Sequence, residues 1–271
     1  MGLAQLILVT LCALLALAGV MGVAWRVQQL GHSSSWIDVS WSCGVGCVAV
    51  PAALAPLGPN WPHWRQVAVA LLVSAWCIRL AAHIYHRARR GSDDLRYRAL
   101  REQWGAQAPR KMLLFLQSQA VVGVVLVVAA ALAAQNPDPA FRLQDLVGLS
   151  LLGAGVIGEA TADRQLRSFA RGRAKSGAVC DVGLWRWSRH PNYFFEWLSW
   201  LTYPVIAIDF QGYNPLGWIS VLAPIVMYWA LVYASGIPPL EAHMVRTRGQ
   251  AFRDYQRRTS PFFPLPPKRD F

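Results

Sequence analysis

Long apolar stretches alternate along this chain with short, polar, strongly basic connections. Seven stretches, approximately Leu3–Trp25, Trp36–Leu57, Gln66–Tyr85, Met112–Ala134, Leu146–Ala162, Tyr193–Phe210 and Leu216–Ser235, are near the length needed to cross a bilayer. A hydrocarbon core about 30 Å thick takes roughly 20 helical residues. Several stretches contain Gly or Pro, which spanning helices tolerate where neighbouring groups meet the freed backbone. Trp25, Trp36, Trp61, Trp64, Trp197 and Trp218 fall near the ends of stretches, where an amphipathic ring favours the headgroup zone. No stretch has the polar face that a helix of a soluble core turns to water. The pattern predicts an all-α integral membrane bundle of seven transmembrane helices.

Composition agrees, because a chain of 271 residues that is 55% hydrophobic and 15% charged is too apolar for an ordinary soluble domain. Charge then adds direction. The 26 Lys and Arg exceed the 14 Asp and Glu, for a net charge of +12. Eight basic residues lie in 86–111, seven in 162–192 and seven in 241–271, and Arg26 belongs to the first connection on the same side. The opposite connections hold only Arg65 and Arg142. The side that keeps positive charge is usually cytoplasmic, so the amino terminus is expected outside and the carboxyl terminus in the cytoplasm. Ala16-Leu17-Ala18 before Gly19 has the small residues of a signal-peptide cleavage site. No basic residue precedes the run, however, and losing that helix would invert every later connection, so the first helix is expected to stay in the mature protein. Cys12, Cys43, Cys47, Cys77 and Cys180 form no CxxC pair, which predicts neither a disulfide framework nor a metal site. With no internal repeat or linker, one domain over 1–271 is expected.

Gly153-Ala154-Gly155-Val156-Ile157-Gly158 matches the GxGxxG pattern of soluble dinucleotide-binding folds. That fingerprint works between a strand and a helix, and here it lies inside an apolar span, so close helix packing is the expected role. After it, Glu159, Asp163 and Arg167 step by four residues and share one helix face with Arg164 beside them. A solvated helix end with i,i+4 pairs would account for Asp163 and Arg167. Glu159 sits deeper, where an ionisable group is costly unless it faces a polar partner or cavity. The densest block is Gly183-Leu184-Trp185-Arg186-Trp187-Ser188-Arg189-His190-Pro191-Asn192-Tyr193-Phe194-Phe195-Glu196-Trp197. Arg186 and Arg189 offer planar forks for phosphate oxygens, Ser188, His190 and Asn192 offer hydrogen bonds, and Tyr193 and Trp197 offer flat faces. Pro191 suits a helix start, whose free N–H groups also attract anions. A basic flank with an aromatic belt would explain the arginines and Trp197, but not Asn192 and Glu196 at the mouth of a span. Beyond the last span a polar tail carries Glu241, His243, Arg246, Arg248, Tyr255 and Arg258, the composition also of a lipid-surface anchor.

Gly158 to Gln165, the GLWRWSRHPNYFFEW block, and a tail with Glu241, Arg248-Gly249, Tyr255 and a closing Pro-Phe-Phe-Pro resemble the steroid 5α-reductase superfamily and its bacterial membrane relatives. That superfamily is similar in turn to isoprenylcysteine carboxyl methyltransferases. The resemblance covers most of the chain. It implies a seven-helix bundle in a bacterial inner membrane that holds a lipid-like enone, with polar cytoplasmic segments, here approximately 156–271, enclosing NADPH. By the same implication the arginines bind the pyrophosphate and the 2′-phosphate. Hydride addition to an enone builds charge on the carbonyl oxygen, which a positioned acid must stabilise. A neutral phenol suits that role at neutral pH. Tyr85, in His83-Ile84-Tyr85-His86-Arg87, looks like the tyrosine of the reductases, and Arg87, Asp94, Arg96 and Arg98 resemble their cofactor-side loop. The reductases also have a Glu in the second helix, whereas the first Glu here is Glu102. Asp38, in Trp36-Ile37-Asp38-Val39-Ser40-Trp41, is the nearest substitute: a buried carboxyl that stays protonated could donate to a carbonyl, with Trp36 and Trp41 beside the substrate. A helix-start carboxylate after Ser33-Ser34-Ser35 is the other reading.

The expected activity is therefore NADPH-dependent reduction of the C=C bond of a hydrophobic enone such as a 3-oxo-Δ4 steroid. The expected partners are that small molecule and membrane lipids, not nucleic acid, with the chain a monomer. A membrane methyltransferase using S-adenosylmethionine is the alternative enzyme, and a lipid-binding protein without chemistry is the third class. The wealth of arginine favours NADPH, since S-adenosylmethionine has no pyrophosphate.

Overall fold

The computed structural model describes residues 1–58, 61, 63–88, 94–173 and 178–268. Among these the chain is helical, with Ser188 and Ser260 forming an isolated parallel bridge. Six stretches of the described residues are long and apolar enough to cross a membrane: Leu3–Gln29, Ser35–Leu54, Trp64–His86, Arg96–Ala134, Leu143–Gly172 and Pro215–Arg248. The chain comprises two compact units, one of Met1–Leu146 with Tyr203–Ala223, the other of Val147–Thr202 with Pro224–Phe271.

The first unit is built on α1 (Leu3–Gln29), α2 (Ser35–Leu54), α3 (Trp64–Ala88) and α5 (Ala108–Ala134), with α2 packed against the other three. The last turns of α5, Leu126 to Ala134, are buried on every side, and their small alanines let neighbouring backbones come close. On α1, by contrast, Leu3, Leu8 and Leu15 are exposed, as an apolar solvent would require. A short helix, α4 (Leu95–Trp104), precedes α5. It starts on Asp94, whose side chain accepts from the Arg96 backbone N–H and so caps the helix.

One end of this unit is closed by Arg65, buried to 1% exposure. Its Nε and Nη2 donate to the two oxygens of Asp145 at 3.0 and 2.8 Å. Further donations reach the carbonyls of Asp138 at 2.5 Å and Ala140 at 2.9 Å, and the guanidinium lies 4.6 Å from the Trp64 ring centre. Arg142 shares Asp145 and donates to the Ile206 carbonyl at 2.6 Å. A buried pair is tolerable when every donor is met, and here it fastens the 135–142 connection down. The two arginines of the sparsely charged connections are thus structural.

The second unit contains most of α6 (Leu143–Arg173), then α7 (Pro191–Trp200), α10 (Ile237–Arg248) and α11 (Gln250–Arg258). Helices α8 (Thr202–Ala207) and α9 (Leu222–Trp229) begin or end at its borders. The sixth apolar stretch is not one long helix: it is divided between α7 and α8. Pro204 has no N–H for the carbonyl four residues back, which severs the ladder at that point. The seventh is a 3₁₀ segment (Pro215–Val221), α9 and a π turn (Ala230–Ala234), followed by α10 with Pro238 and Pro239 in its first turn.

The glycines of the GxGxxG stretch lie in the middle of α6. A Cβ on Gly155 would lie 2.1 Å from Ser199 Oγ, and one on Gly158 2.3 Å from the Phe195 ring. Both sit where α7 presses on α6, which is the packing role expected of them.

Candidate functional site

Besides the Arg65–Asp145–Arg142 closure, polar side chains gather at two places, one in each unit. In the first unit, Asp38 on α2 accepts from two residues of α4. The Tyr97 hydroxyl donates to Oδ1 at 2.7 Å, and Arg96 Nη2 donates to Oδ2. Arg96 also holds Asp94, with its Nε 3.0 Å from Oδ1. Gln119 Nε2 on α5 donates to the Tyr97 oxygen at 3.3 Å, and Trp41 Nε1 donates to the Gln119 carbonyl at 2.9 Å. Arg101 reaches Ser34 Oγ at 2.8 Å. Both Asp38 oxygens therefore act as acceptors that tie α4 to α2, which differs from the donating carboxyl expected of this residue.

The phenol on Asp38 is that of Tyr97, a fully buried side chain that charge-based reading of Asp94–Arg98 passes over. Tyr85 is more open, at 37% exposure, and packs edge-on against Trp36 with ring centres 5.6 Å apart. Arg98 faces solvent near Glu102, 3.9 Å away. The side chain of Arg87 lies outside the described residues.

In the second unit the hub is Glu241 on α10. Arg189 grips its carboxylate with Nε at 2.7 Å and Nη2 at 3.3 Å. His190 Nε2 is 2.9 Å from Oε1, and Gln256 Nε2 donates to Oε2 at 2.7 Å. Arg189 Nη1 also donates to the carbonyls of Gln256 and Thr259, at 3.0 and 2.7 Å. The RHPNY block and the tail are thereby joined across more than fifty residues of sequence. Burial pushes the His190 imidazole below its ordinary pKa range, and the nearby Arg189 charge acts the same way, while Glu241 opposes both only in part.

Around this hub the tail wraps the block. Ser188 Oγ donates to the Phe262 carbonyl at 2.8 Å, and the Arg189 backbone N–H donates to the Ser260 carbonyl at 2.8 Å. The Tyr255 hydroxyl donates to the Trp185 carbonyl, and burial holds that phenol well above its usual range. Trp185 Nε1 in turn donates to the Ala162 carbonyl of α6 at 2.9 Å. Gly183 takes a positive φ of 58°, and a Cβ there would lie 2.4 Å from Gln165, whose Oε1 accepts from the Leu184 N–H at 2.9 Å. The Pro-Phe-Phe-Pro closure serves the same packing: Phe262 and Phe263 lie edge-on to Trp197.

Three carboxylates are buried in this unit, Glu159 and Asp163 on α6 and Glu196 on α7, each at 6% exposure. Trp200 Nε1 donates to Glu196 at 3.3 Å. At the far end of α6 a groove of about 420 Å³ is lined by Arg164, Gln165, Ser168, Phe169, Gly172 and Val182. Arg258 pairs with Asp181 at 2.7 Å. Arg167, Arg186 and Arg246 are exposed, His243 and Arg248 partly so. Arg189, His190, Glu241 and Tyr255 thus lie in one cluster, with Gln256 and Asp181 as members that were not among the candidates.

Among the described residues, helices with six stretches long and apolar enough to cross a membrane, and an ion-paired polar cluster in each unit beside the Arg65–Asp145 closure, are the class this geometry defines. Over residues 24–259 the chain matches the family described as protein of unknown function DUF1295, and it belongs to that family. Both clusters fall inside the matched range. It is also similar to the uncharacterised protein C594.04c of Schizosaccharomyces pombe, with 23% identity over 89% of this chain and 76% of that one. No solved structure matches it.

Proposed function

We propose that the protein is a membrane-embedded reductase that saturates the C=C bond of a hydrophobic enone, such as a 3-oxo-Δ4 steroid, at the expense of NADPH. The observation that carries this reading is the run of buried carboxylates Glu159 and Asp163 along α6 into the groove of Arg164, Gln165 and Ser168. Charge buried in an apolar helix is costly and marks a site that needs it. In this reading α7 and α8 form a broken crossing, the sixth in chain order, which brings the total to seven. Their seventeen positions, 191–207, reach about 25 Å at 1.5 Å per residue, and a break at that depth is tolerable where protein covers it. The amino terminus lies outside and the basic connections face the cytoplasm of a bacterial inner membrane.

When bound, NADPH would supply the hydride. Arg164 and Ser168 present donors suited to phosphate oxygens, and Phe169 a flat face. Tyr85 donates a hydrogen bond to the substrate carbonyl as hydride reaches the β-carbon and negative charge grows there, and a proton from water then adds to the α-carbon, so that the C=C bond is saturated and the phenol keeps its proton. Asp38 acts through position, holding Tyr97 and Arg96 so that α4 stays on α2. Methyl transfer from S-adenosylmethionine is the second reading, favoured by one observation: Arg189 and Arg258 are already committed to Glu241 and Asp181, which leaves fewer guanidinium groups for phosphates.

The test is turnover by the purified protein in nanodiscs with NADPH and a 3-oxo-Δ4 steroid. We expect NADPH oxidation matched by saturated product, and loss of turnover with retained NADPH affinity in Tyr85→Phe. Equal turnover in that variant would remove Tyr85 from the mechanism. Methylation of a lipid acceptor with no NADPH oxidation would replace the reaction altogether.

A further inference from the structure

The arginines of the block at the start of α7 suit phosphate oxygens. The block's hydrogen-bond bookkeeping points the other way. A carboxylate only accepts, so the Glu241 oxygen 2.9 Å from His190 Nε2 fixes the imidazole proton on that nitrogen. The second nitrogen, Nδ1, is then a bare lone pair. It is buried with no partner, in a residue only 3% exposed. Two positions along, Asn192 Oδ1 is likewise a buried acceptor with no partner. Neither atom is used to cap α7, since His190 stands at the N-cap without a side-chain cap bond and Pro191 follows it at the first helical position. Ser188 Oγ is already occupied, donating to the Phe262 carbonyl and accepting from the His190 N–H at 3.1 Å. Buried acceptors left unmet are costly, and the cost is relieved by a group that brings hydrogens.

The pyrophosphate linkage of a dinucleotide, ionised on both phosphates, has no hydrogen to give at neutral pH, and it would meet two lone pairs beside the Glu241 carboxylate. An amino group of a base, a carboxamide NH₂ or a sugar hydroxyl has what these atoms lack. The His190 ring is stacked on Tyr193 at 5.5 Å and 12°, the kind of flat surface on which a planar base lies. We propose that the start of α7 is a seat of hydrogen-bond acceptors, His190 Nδ1 and Asn192 Oδ1, that takes the base or sugar of a nucleotide and not its phosphates. The proposal rests on the nucleotide reading of this unit, and it holds for NADPH and S-adenosylmethionine alike because both carry an adenosine.

The experiment is calorimetric titration of the full chain in nanodiscs with adenosine, NADPH, S-adenosylmethionine and inorganic pyrophosphate. Wild type is compared with Asn192→Asp, which replaces the amide with two acceptors of the same shape, and with Asn192→Leu, which has none. We expect Asn192→Asp to keep adenosine and cofactor affinity within about threefold, and Asn192→Leu to weaken both about tenfold, or 1.4 kcal/mol. Pyrophosphate affinity should be the same in all three. Because Asn192→Leu could misfold, a second readout follows the His190 ¹⁵N resonances in wild type: Nδ1 should shift on adding adenosine, with Nε2 unmoved. Loss of cofactor and pyrophosphate binding together in Asn192→Asp would show an anion seat and overturn the proposal, as would an unmoved Nδ1. A wild type that binds none of the nucleoside probes sinks the nucleotide reading itself, a different result from a wild type that binds and an Asn192→Asp that does not.

Discussion

Arg189→Ala should unfasten the second unit. The guanidinium makes four contacts, two to the Glu241 carboxylate and two to the carbonyls of Gln256 and Thr259. Its side chain is 11% exposed and that of Glu241 14%. Removing one partner of a buried pair costs roughly 3–5 kcal/mol, because the other charge stays behind in a poor solvent. His190 and Gln256 still reach that carboxylate, so the lower half of the range applies. At about 4 °C per kcal/mol for a unit of roughly a hundred residues, the melting temperature should drop by roughly 14 °C. Arg189→Lys keeps the charge but not the two-pronged grip, and should fall between. The assay is thermal unfolding in nanodiscs, followed by tryptophan fluorescence, with proteolysis of the 259–268 tail as a local probe. A melting temperature within about 3 °C of wild type for Arg189→Ala would refute the claim that this pair holds the tail on the block.

Two further outcomes follow from the same contacts. His190 has a folded-state pKa below its unfolded value of about 6.5. Between the two values the unfolded chain binds the extra proton, so the stability from the neutral ring is full above pH about 6.5 and drains away as pH falls below it. Melting temperatures from pH 8 to 5 should show this decline, and His190→Gln should flatten it; parallel curves would contradict the assignment. Gly158→Ala should lower stability, since its new Cβ would meet the Phe195 ring at 2.3 Å, whereas Gly153→Ala, with nothing within 4 Å, should be neutral or gain up to about 1 kcal/mol in helix propensity. Equal effects at the two positions would argue against close packing of α6 on α7.

The long helices were legible because apolar length alone marks them. The expected start at Leu3 coincides with α1, and the expected ends at Leu57 and Ala134 fall within a few residues of the ends of α2 and α5. Where a helix runs on past its apolar stretch, hydropathy stops too soon: α6 continues from Ala162 to Arg173 through residues that water would accept equally well. The break between α7 and α8 was signalled by Pro204, but membrane helices so often tolerate proline that the signal did not decide. The site was legible as residues and not as pairings. Arg189 and Glu241 were both candidates, yet nothing in a string of letters says that one neutralises the other across 52 positions. Once paired, Arg189 is a fastening and not a free phosphate ligand. Asp38 shows the same limit, because its character depends on Tyr97 and Arg96 arriving from α4.

The central claim is that the second unit binds NADPH, and the most direct measurement is titration of the purified protein with NADPH, NADH and S-adenosylmethionine under identical conditions. The account predicts saturable NADPH binding, weaker for NADH by the contribution of the 2′-phosphate, and weaker still for S-adenosylmethionine, which shares only the adenosine. Saturable binding of S-adenosylmethionine with no binding of either nicotinamide cofactor would contradict it.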